Sequence, residues 1–433
     1  MQCGSIVGKV SLLSLGCPKN LVDSEKLLEK LKDRGIFYSS KPEESDILLI
    51  NTCGFIESAK KESIEEILKL SKLKGTNKKL VVFGCLAKRH GEELIREIPE
   101  IDALWGVGDE DKIIAYCSKI ITGPTIAGPA EKLTDTPYAY LKIAEGCDKK
   151  CSYCVIPQIR GRFQSIPPDR LLEEAETLIQ TGKKELILIA QDITEYGTDL
   201  RGLKGYDLSR LIKDIASLSG DFWVRLLYLY PTSINDRLIG TIASEKKVCN
   251  YIDMPLQHSE RKILRLMGRG GSRTYFEKLI SKIRCIIPDV NIRTTFIVGF
   301  PQETEDDFNA MVRFAQKTKF DRLGVFTYSK EEGSSAFALK GQISKKIKSE
   351  RFNKLMSVQS AISLEKNRKL VGKTFKALVD DTEDNIAVAR IYSQAPEIDG
   401  VVLIHDDKVR RGDFVKVKIE EAYDYDLKGT IKK

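Results

Sequence analysis

The chain has 433 residues, a hydrophobic content of 42%, a charged content of 30% and a formal net charge of +8. That length implies two or three domains, and that balance suits a soluble globular chain and excludes a disordered one. No apolar run approaches a membrane span, and the weak apolar patch before Val10 is broken by Lys9, unlike a signal peptide. Ten cysteines without a secretory leader point to a reducing, cytoplasmic compartment and to metal ligation rather than disulfides. The positive charge permits a nucleic-acid or ribosomal partner without requiring one.

In the first third of the chain, β-prone and helical runs alternate. Val10–Leu15, Asp46–Asn51 and Leu80–Phe83 read as strands. Asp23–Lys32, with Asp23 as its N-cap, and Glu57–Lys74 read as helices, and further helical segments follow near Gly91–Glu97 and Asp109–Ile121. The alternation predicts a parallel sheet covered by helices. Cys17, Cys53 and Cys85 each follow a strand by two residues. The carboxyl ends of parallel strands share one edge, so the three thiols should converge there. They are either small buried apolar groups or the soft ligand set of an iron–sulfur cluster with one iron left open.

A second cysteine set is tighter. The strand-like run Tyr138–Ala144 leads into Gly146–Cys154, which places Cys147, Cys151 and Cys154 in a C-x₃-C-x₂-C spacing. A structural zinc would want a fourth ligand from a second pair, and none follows. Three thiolates on a four-iron cluster leave one iron available for chemistry. Further strands at Glu185–Ala190, Trp223–Leu229, Tyr251–Met254, Asn291–Val298 and Arg322–Tyr328 alternate with helices. Six β/α units make a partial form of the eightfold barrel, open on one side. Gln191, Asp192, Tyr230, Gln257 and His258 fall at strand ends and are candidate ligand contacts, although His258 equally fits a structural histidine. Cys3, Cys117, Cys249 and Cys285 stand alone and read as packing residues.

Lys340–Lys369 is helical in pattern, with nine Lys/Arg against two acidic residues, and reads as a solvated linker. Short strands at Thr374–Val379, Ala387–Ile391, Val401–Ile404 and Phe414–Ile419 then predict a small β-barrel. Leu370–Lys433 holds 11 Lys/Arg and 13 Asp/Glu. That slight acidity suits a basic protein partner better than a phosphate backbone.

The C-x₃-C-x₂-C spacing, with Tyr153 before its third cysteine, resembles the radical S-adenosylmethionine (SAM) enzymes. Nearly the whole chain resembles the methylthiotransferases of that superfamily. Gly16-Cys17-Pro18-Lys19-Asn20, with Asp23, Ser24 and Glu25 behind it, resembles their ribosomal-protein branch. So do Gln191-Asp192 before Tyr196-Gly197 and the late Tyr423–Leu427 stretch. Gln302, after Phe300-Pro301, departs from the family's common glycine.

The resemblance implies an α/β fold class. Its parts are an N-terminal parallel α/β domain (8–125), a partial (β/α)6 radical SAM barrel (133–365) and a small C-terminal TRAM-like antiparallel β-barrel (368–433). It implies two 4Fe-4S clusters, on Cys147, Cys151 and Cys154 and on Cys17, Cys53 and Cys85. SAM is the other cofactor, with Tyr153, Gln191 and Gln257 as contacts and no catalytic residue beyond the cluster ligands. The implied reaction adds a methylthio group to the β-carbon of an aspartate of small-subunit ribosomal protein S-twelve. An electron donor and a sulfur source are further partners, and nucleic acid is met at most through the ribosome. The rival readings are a tRNA adenosine methylthiotransferase and a non-catalytic metal-cluster protein that binds RNA.

Overall fold

The computed structural model describes residues 8–75, 77–121, 133–406 and 408–432, so Cys3 lies outside the described residues. The chain divides into two units. One takes the chain up to Asp135 together with Cys154–Arg162 and Ser329–Gly333; the other takes Thr136–Tyr153, Phe163–Tyr328 and Ser334–Lys433.

The first unit is built on strands β1 (Lys9–Ser14), β2 (Phe37–Tyr38), β3 (Ile47–Thr52), β4 (Lys79–Gly84) and β5 (Ala103–Trp105). They form one parallel sheet in the order β2-β1-β3-β4-β5. Helices α1 (Pro18–Lys32), α2 (Glu57–Leu73) and α3 (Cys85–Glu97) connect strands of the sheet, and α4 (Glu110–Ile120) follows β5. Both sheet faces are covered, so β3 and β4 are apolar on both sides. Val10, Leu12, Leu49 and Val81 pack on one face with Leu27 and Ile113; Leu48, Ile50, Leu80 and Val82 pack on the other with Ile67 and Leu94. Helix α1 starts earlier than the sequence suggested. Pro18 occupies its first turn, where a fixed φ and a missing N–H cost nothing. Asp23 is therefore not an N-cap; it is buried within the helix.

The short helix α5 (Ile156–Arg160) belongs to the first unit. The second unit begins with β6 (Tyr138–Lys142) and the antiparallel pair β7 (Ala144–Glu145) and β8 (Gln164–Ser165). Then come α6 (Pro168–Gln180), β9 (Glu185–Ile189), α7 (Leu208–Ser217), β10 (Trp223–Leu226), α8 (Asp236–Ser244) and β11 (Tyr251–Asp253). The alternation ends with α9 (Arg261–Leu266), α10 (Arg273–Ile286), β12 (Asn291–Val298), α11 (Glu305–Thr318), β13 (Arg322–Thr327) and α12 (Lys345–Arg368). The parallel groups β6-β9-β10 and β11-β12-β13 are joined by a Val224–Val248 bridge and by the Leu229 N–H donating to the Asp253 carbonyl at 2.9 Å. The six strands form a partial barrel, and among the described residues β6 and β13 do not pair. Strand faces carrying Leu186, Leu188, Val224, Ile252, Phe296 and Val298 pack against the helices in one apolar core.

Helix α12 is not the solvated linker its basic composition suggested. Arg351, Leu355, Gln359, Ile362, Ser363 and Asn367 are buried on it, and it packs along β13 and α11. Several of these buried polar groups bond within the chain. Gln359 donates to the Phe320 carbonyl at 3.1 Å, Asn367 to the Tyr423 carbonyl at 2.9 Å and Arg351 to the Glu303 carboxylate at 2.6 Å.

The C-terminal strands β14 (Thr374–Glu383), β15 (Ile386–Ile391), β16 (Val402–His405), β17 (Phe414–Ala422) and β18 (Leu427–Ile431) close a barrel in the order β14-β15-β16-β18-β17. All its pairings are antiparallel except β16 with β18. This barrel is keyed to the starts of the larger barrel's strands. Glu185, the first residue of β9, pairs with Arg225 of β10 at 2.5 Å and with Arg390 of β15 at 2.7 Å. Arg390 also makes a two-point pair with Asp380 of β14. Beside it, Tyr138 donates to Glu397 at 2.8 Å and Tyr251 to Asp399 at 2.7 Å.

Candidate active site

In the first unit the sheet places its three cysteines on one edge. Cys17 precedes α1 directly after β1, Cys53 follows β3, and Cys85 opens α3 after β4. Strand order reverses between β1 and β3, the point at which parallel α/β sheets open a crevice for ligands. The loops approach closely: a Cβ on Gly16 would stand 2.9 Å from the Cys53 sulfur. Gly16 also has φ +92, so side chains are disfavoured there on both counts. Ser63 of α2 fixes Cys53 by accepting its N–H and donating to its carbonyl, both at 3.0 Å. The Cys85 sulfur lies 3.7 Å from Asn20 Oδ1.

Burial pushes the Cys53 thiol above its ordinary value and the Cys85 thiol up to about 12, and Cys17 reinforces both shifts. Ligation requires thiolates, so metal loading of this edge must release protons. Among the described residues, no group of three or more His, Cys, Asp or Glu side chains stands in a metal-holding arrangement. The fit to an iron–sulfur cluster therefore rests on the donor set: three convergent, mostly buried thiols, with the Arg160 guanidinium close enough to offset their charge.

In the second unit, β6 runs into β7 and then the irregular stretch 146–154. Cys147 and Cys151 lie in this unit, while Cys154 opens the stretch assigned to the first. Backbone N–H groups already point at two of the sulfurs, Lys149 N at 3.4 Å from Cys147 and Ile156 N at 3.5 Å from Cys154. Arg269 Nη1 lies 3.6 Å from the Cys151 sulfur and 3.4 Å from the Tyr153 hydroxyl, and Nη2 donates to the Pro255 carbonyl at 2.7 Å. Burial nevertheless pushes the Cys147 thiol above its ordinary value, and the Lys149 N–H offsets only part of that.

The strand-end residues divide. Tyr230, after β10, has Arg269 over its ring at 4.3 Å and Lys149 at 4.4 Å, which brings it beside the cysteine loop. Gln257, after β11, has φ +70, and among the described residues its buried Oε1 has no hydrogen-bond partner. Gln191 is half-buried at the end of β9. Asp192 is buried and caps the next turn through Thr194 N at 2.9 Å, and burial pushes its carboxyl up. Tyr153 packs against Met267, Ile297 and Phe300. His258 is fully buried, its Nδ1 accepts from Glu260 N at 3.0 Å, and its Nε2 lies 3.5 Å from Glu303. Arg269 escaped the sequence reading. Its only signal was the Gly268-Arg-Gly-Gly271 interruption between two helices, since Gly268 at φ +67 would clash with the Lys150 carbonyl if it carried a Cβ.

A partial β/α barrel with a C-x₃-C-x₂-C loop beyond its first strand is the framework of a radical SAM enzyme. Residues 141–315 match the radical SAM superfamily, 9–106 match the family described as "Uncharacterized protein family UPF0004", and 371–431 match the TRAM domain. Among solved structures, the radical SAM methyltransferase TsrM from Kitasatospora setae with cobalamin and a [4Fe-4S] cluster aligns at TM-score 0.54 and 13% identity, covering 88% of this chain and 81% of that one. OxsB, a cobalamin-dependent SAM radical enzyme, aligns at TM-score 0.53 and 11% identity, covering 82% and 56%. These likenesses show the fold. The ribosomal protein uS12 methylthiotransferase RimO of Thermodesulfovibrio yellowstonii is 51% identical over 97% of this chain and 99% of its own length. The RimO of Thermoanaerobacter sp. (strain X514) is 47% identical over 97% and 99%. The chain belongs to the RimO family of radical SAM methylthiotransferases. Its cofactors are SAM and 4Fe-4S chemistry. No described helix is long and apolar enough to cross a membrane.

Proposed function

We propose that this enzyme adds a methylthio group to the β-carbon of an aspartate of ribosomal protein uS12, the S-twelve protein, using two 4Fe-4S clusters in separate parts of the chain. One observation carries the two-cluster reading: two three-thiol sets, each lying just beyond parallel strands. In this reading residues 8–125 form the auxiliary-cluster domain, 133–365 the radical SAM core and 368–433 the TRAM domain. Cys147, Cys151 and Cys154 hold the SAM-binding cluster, and Cys17, Cys53 and Cys85 hold the second. Bound there, the clusters and SAM supply the one-electron route that an unactivated C–H bond requires.

The chain's own residues place and shield the reactants. The buried Oε1 of Gln257 offers SAM an acceptor, with Gln191 and Tyr153 as neighbouring contacts. Arg269 stacks on Tyr230 and faces Cys151, holding positive charge beside the thiolates. An electron donor and a sulfur source complete the reaction, which we place in the cytoplasm, where thiols stay reduced.

The Cys53→Ala variant tests the two-cluster reading. After anaerobic reconstitution, iron should fall from about eight to about four per chain, with SAM cleavage retained and methylthiolation lost. Full iron content and full methylthiolation in this variant would overturn the assignment.

A further inference from the structure

The Gly16–Glu25 stretch distinguishes this chain's branch by sequence, yet only Cys17 in it is a cluster ligand. Asn20, Asp23 and Ser24 are all buried. Asn20 Nδ2 donates to the Leu15 carbonyl at 2.8 Å and the Thr52 carbonyl at 3.2 Å, tying together the turns that follow β1 and β3. Asn51 Nδ2 donates to the Asn20 carbonyl at 2.9 Å and to Ser24 Oγ at 3.0 Å. The frame locks the Asn20 amide in one orientation, so Oδ1 faces away from those turns. That oxygen accepts from Arg160 Nη2 at 2.6 Å and lies 3.7 Å from the Cys85 sulfur. Asp23 Oδ2 accepts from Arg160 Nη1 at 3.1 Å. The Arg160 side chain is 1% exposed. A guanidinium this deep must be paired, and Asp23 and Asn20 are among the groups that pair it.

We propose that Arg160 is a positioning residue of the three-thiol site, its guanidinium set beside Cys53 and Cys85, and that Asn20 and Asp23 hold it there. The inference rests on the two-cluster reading above and deepens it. Three thiolates on a four-iron core leave the centre net negative, and net charge and hydrogen bonds to sulfur set its potential. A fixed cation stabilises the more negative, reduced form; Asp23 tempers that cation. Asn20 Oδ1 stands between the Arg160 Nη2 and the Cys85 sulfur, which places the guanidinium beside that thiol.

The test uses the full-length chain with Cys147, Cys151 and Cys154 replaced by alanine, reconstituted anaerobically, so that only the first-unit site can load. Iron per chain and the midpoint potential, followed by EPR-monitored titration, are the readouts. Arg160→Met should shift the midpoint to more negative values, Arg160→Lys should fall between it and the parent, and Asp23→Asn should shift it to more positive values. Opposite signs are the signature, because a merely structural pair would damage the site in the same direction from either side. Loaded variants with unmoved midpoints, or with shifts of one sign, would overturn the proposal. If Arg160→Met does not fold, Asp23→Asn decides alone: no positive shift overturns it. A parent that takes up no iron would instead sink the two-cluster reading, and this inference with it.

Discussion

Glu185 joins the two barrels of the second unit through a buried ion pair. Its carboxylate is fully buried between Arg225 and Arg390, themselves 0% and 1% exposed. Glu185→Gln leaves both guanidiniums in place and removes the anion they share. Removing one partner of a buried ion pair costs about 3–5 kcal/mol, because the charge left behind cannot be resolvated. At about 2 °C per kcal/mol for a unit of this size, the melting midpoint should fall by about 6–10 °C. Arg390 retains Asp380, so Arg225 is the stranded group. Replacing Arg225 as well, in Glu185→Gln/Arg225→Met, should recover at least about 1 kcal/mol rather than add a further loss.

The pH dependence has a definite sign. Burial by itself would raise the Glu185 carboxyl, and the two guanidiniums outweigh it, so the folded value lies below the ordinary one. A lowered carboxyl stabilises the fold above its unfolded value and loses that contribution as pH falls through the folded value. The difference between parent and Glu185→Gln should therefore be full at neutral pH and shrink in acid. Differential scanning calorimetry of the metal-free chain reads all three effects. A Glu185→Gln midpoint within about 1 °C of the parent, or a double variant that loses the sum of its parts, would refute the reasoning.

Two further perturbations read the site and the packing. Arg269→Met removes the donor facing Cys151 and Tyr153 and should lower SAM cleavage by about 10–100-fold, as loss of partners behind metal ligands does; an unchanged rate of 5′-deoxyadenosine release would contradict its placement. Iodoacetamide on the folded, metal-free chain should label exposed Cys285 and spare Cys117 and Cys249, whose thiols burial pushes up to about 12. Peptide mass spectrometry that found Cys249 labelled as fast as Cys285 would contradict the packing described for it.

What could be read from the sequence followed from periodicity. The cysteines at strand ends were visible because β/α alternation fixes which edge a loop leaves from, whatever the tertiary detail. Strands β2 and β5 were not visible: two or three residues carry no period. The buried face of α12 was missed because it is largely polar, with Arg351, Gln359, Ser363 and Asn367 satisfied by partners elsewhere in the chain. Arg160 and Arg269 reach thiols far from them in sequence, and a lone arginine announces nothing until the fold brings it in. The Glu185, Arg225, Arg390 and Asp380 network spans two domains for the same reason. Gln302 shows the reverse case. The family resemblance marked it as standing where glycine is common, and its φ of +68 is the left-handed backbone that glycine would adopt without strain.

The substrate assignment is tested most directly by the mass of the product. Reconstituted enzyme, SAM, reductant and sulfide are incubated with ribosomal protein uS12 and, separately, with unmodified tRNA, and both are digested and sequenced by mass spectrometry. The account predicts a gain of one methylthio group on a single aspartate of uS12 and none on tRNA. The same gain on a tRNA adenosine, with uS12 unmodified, would contradict it.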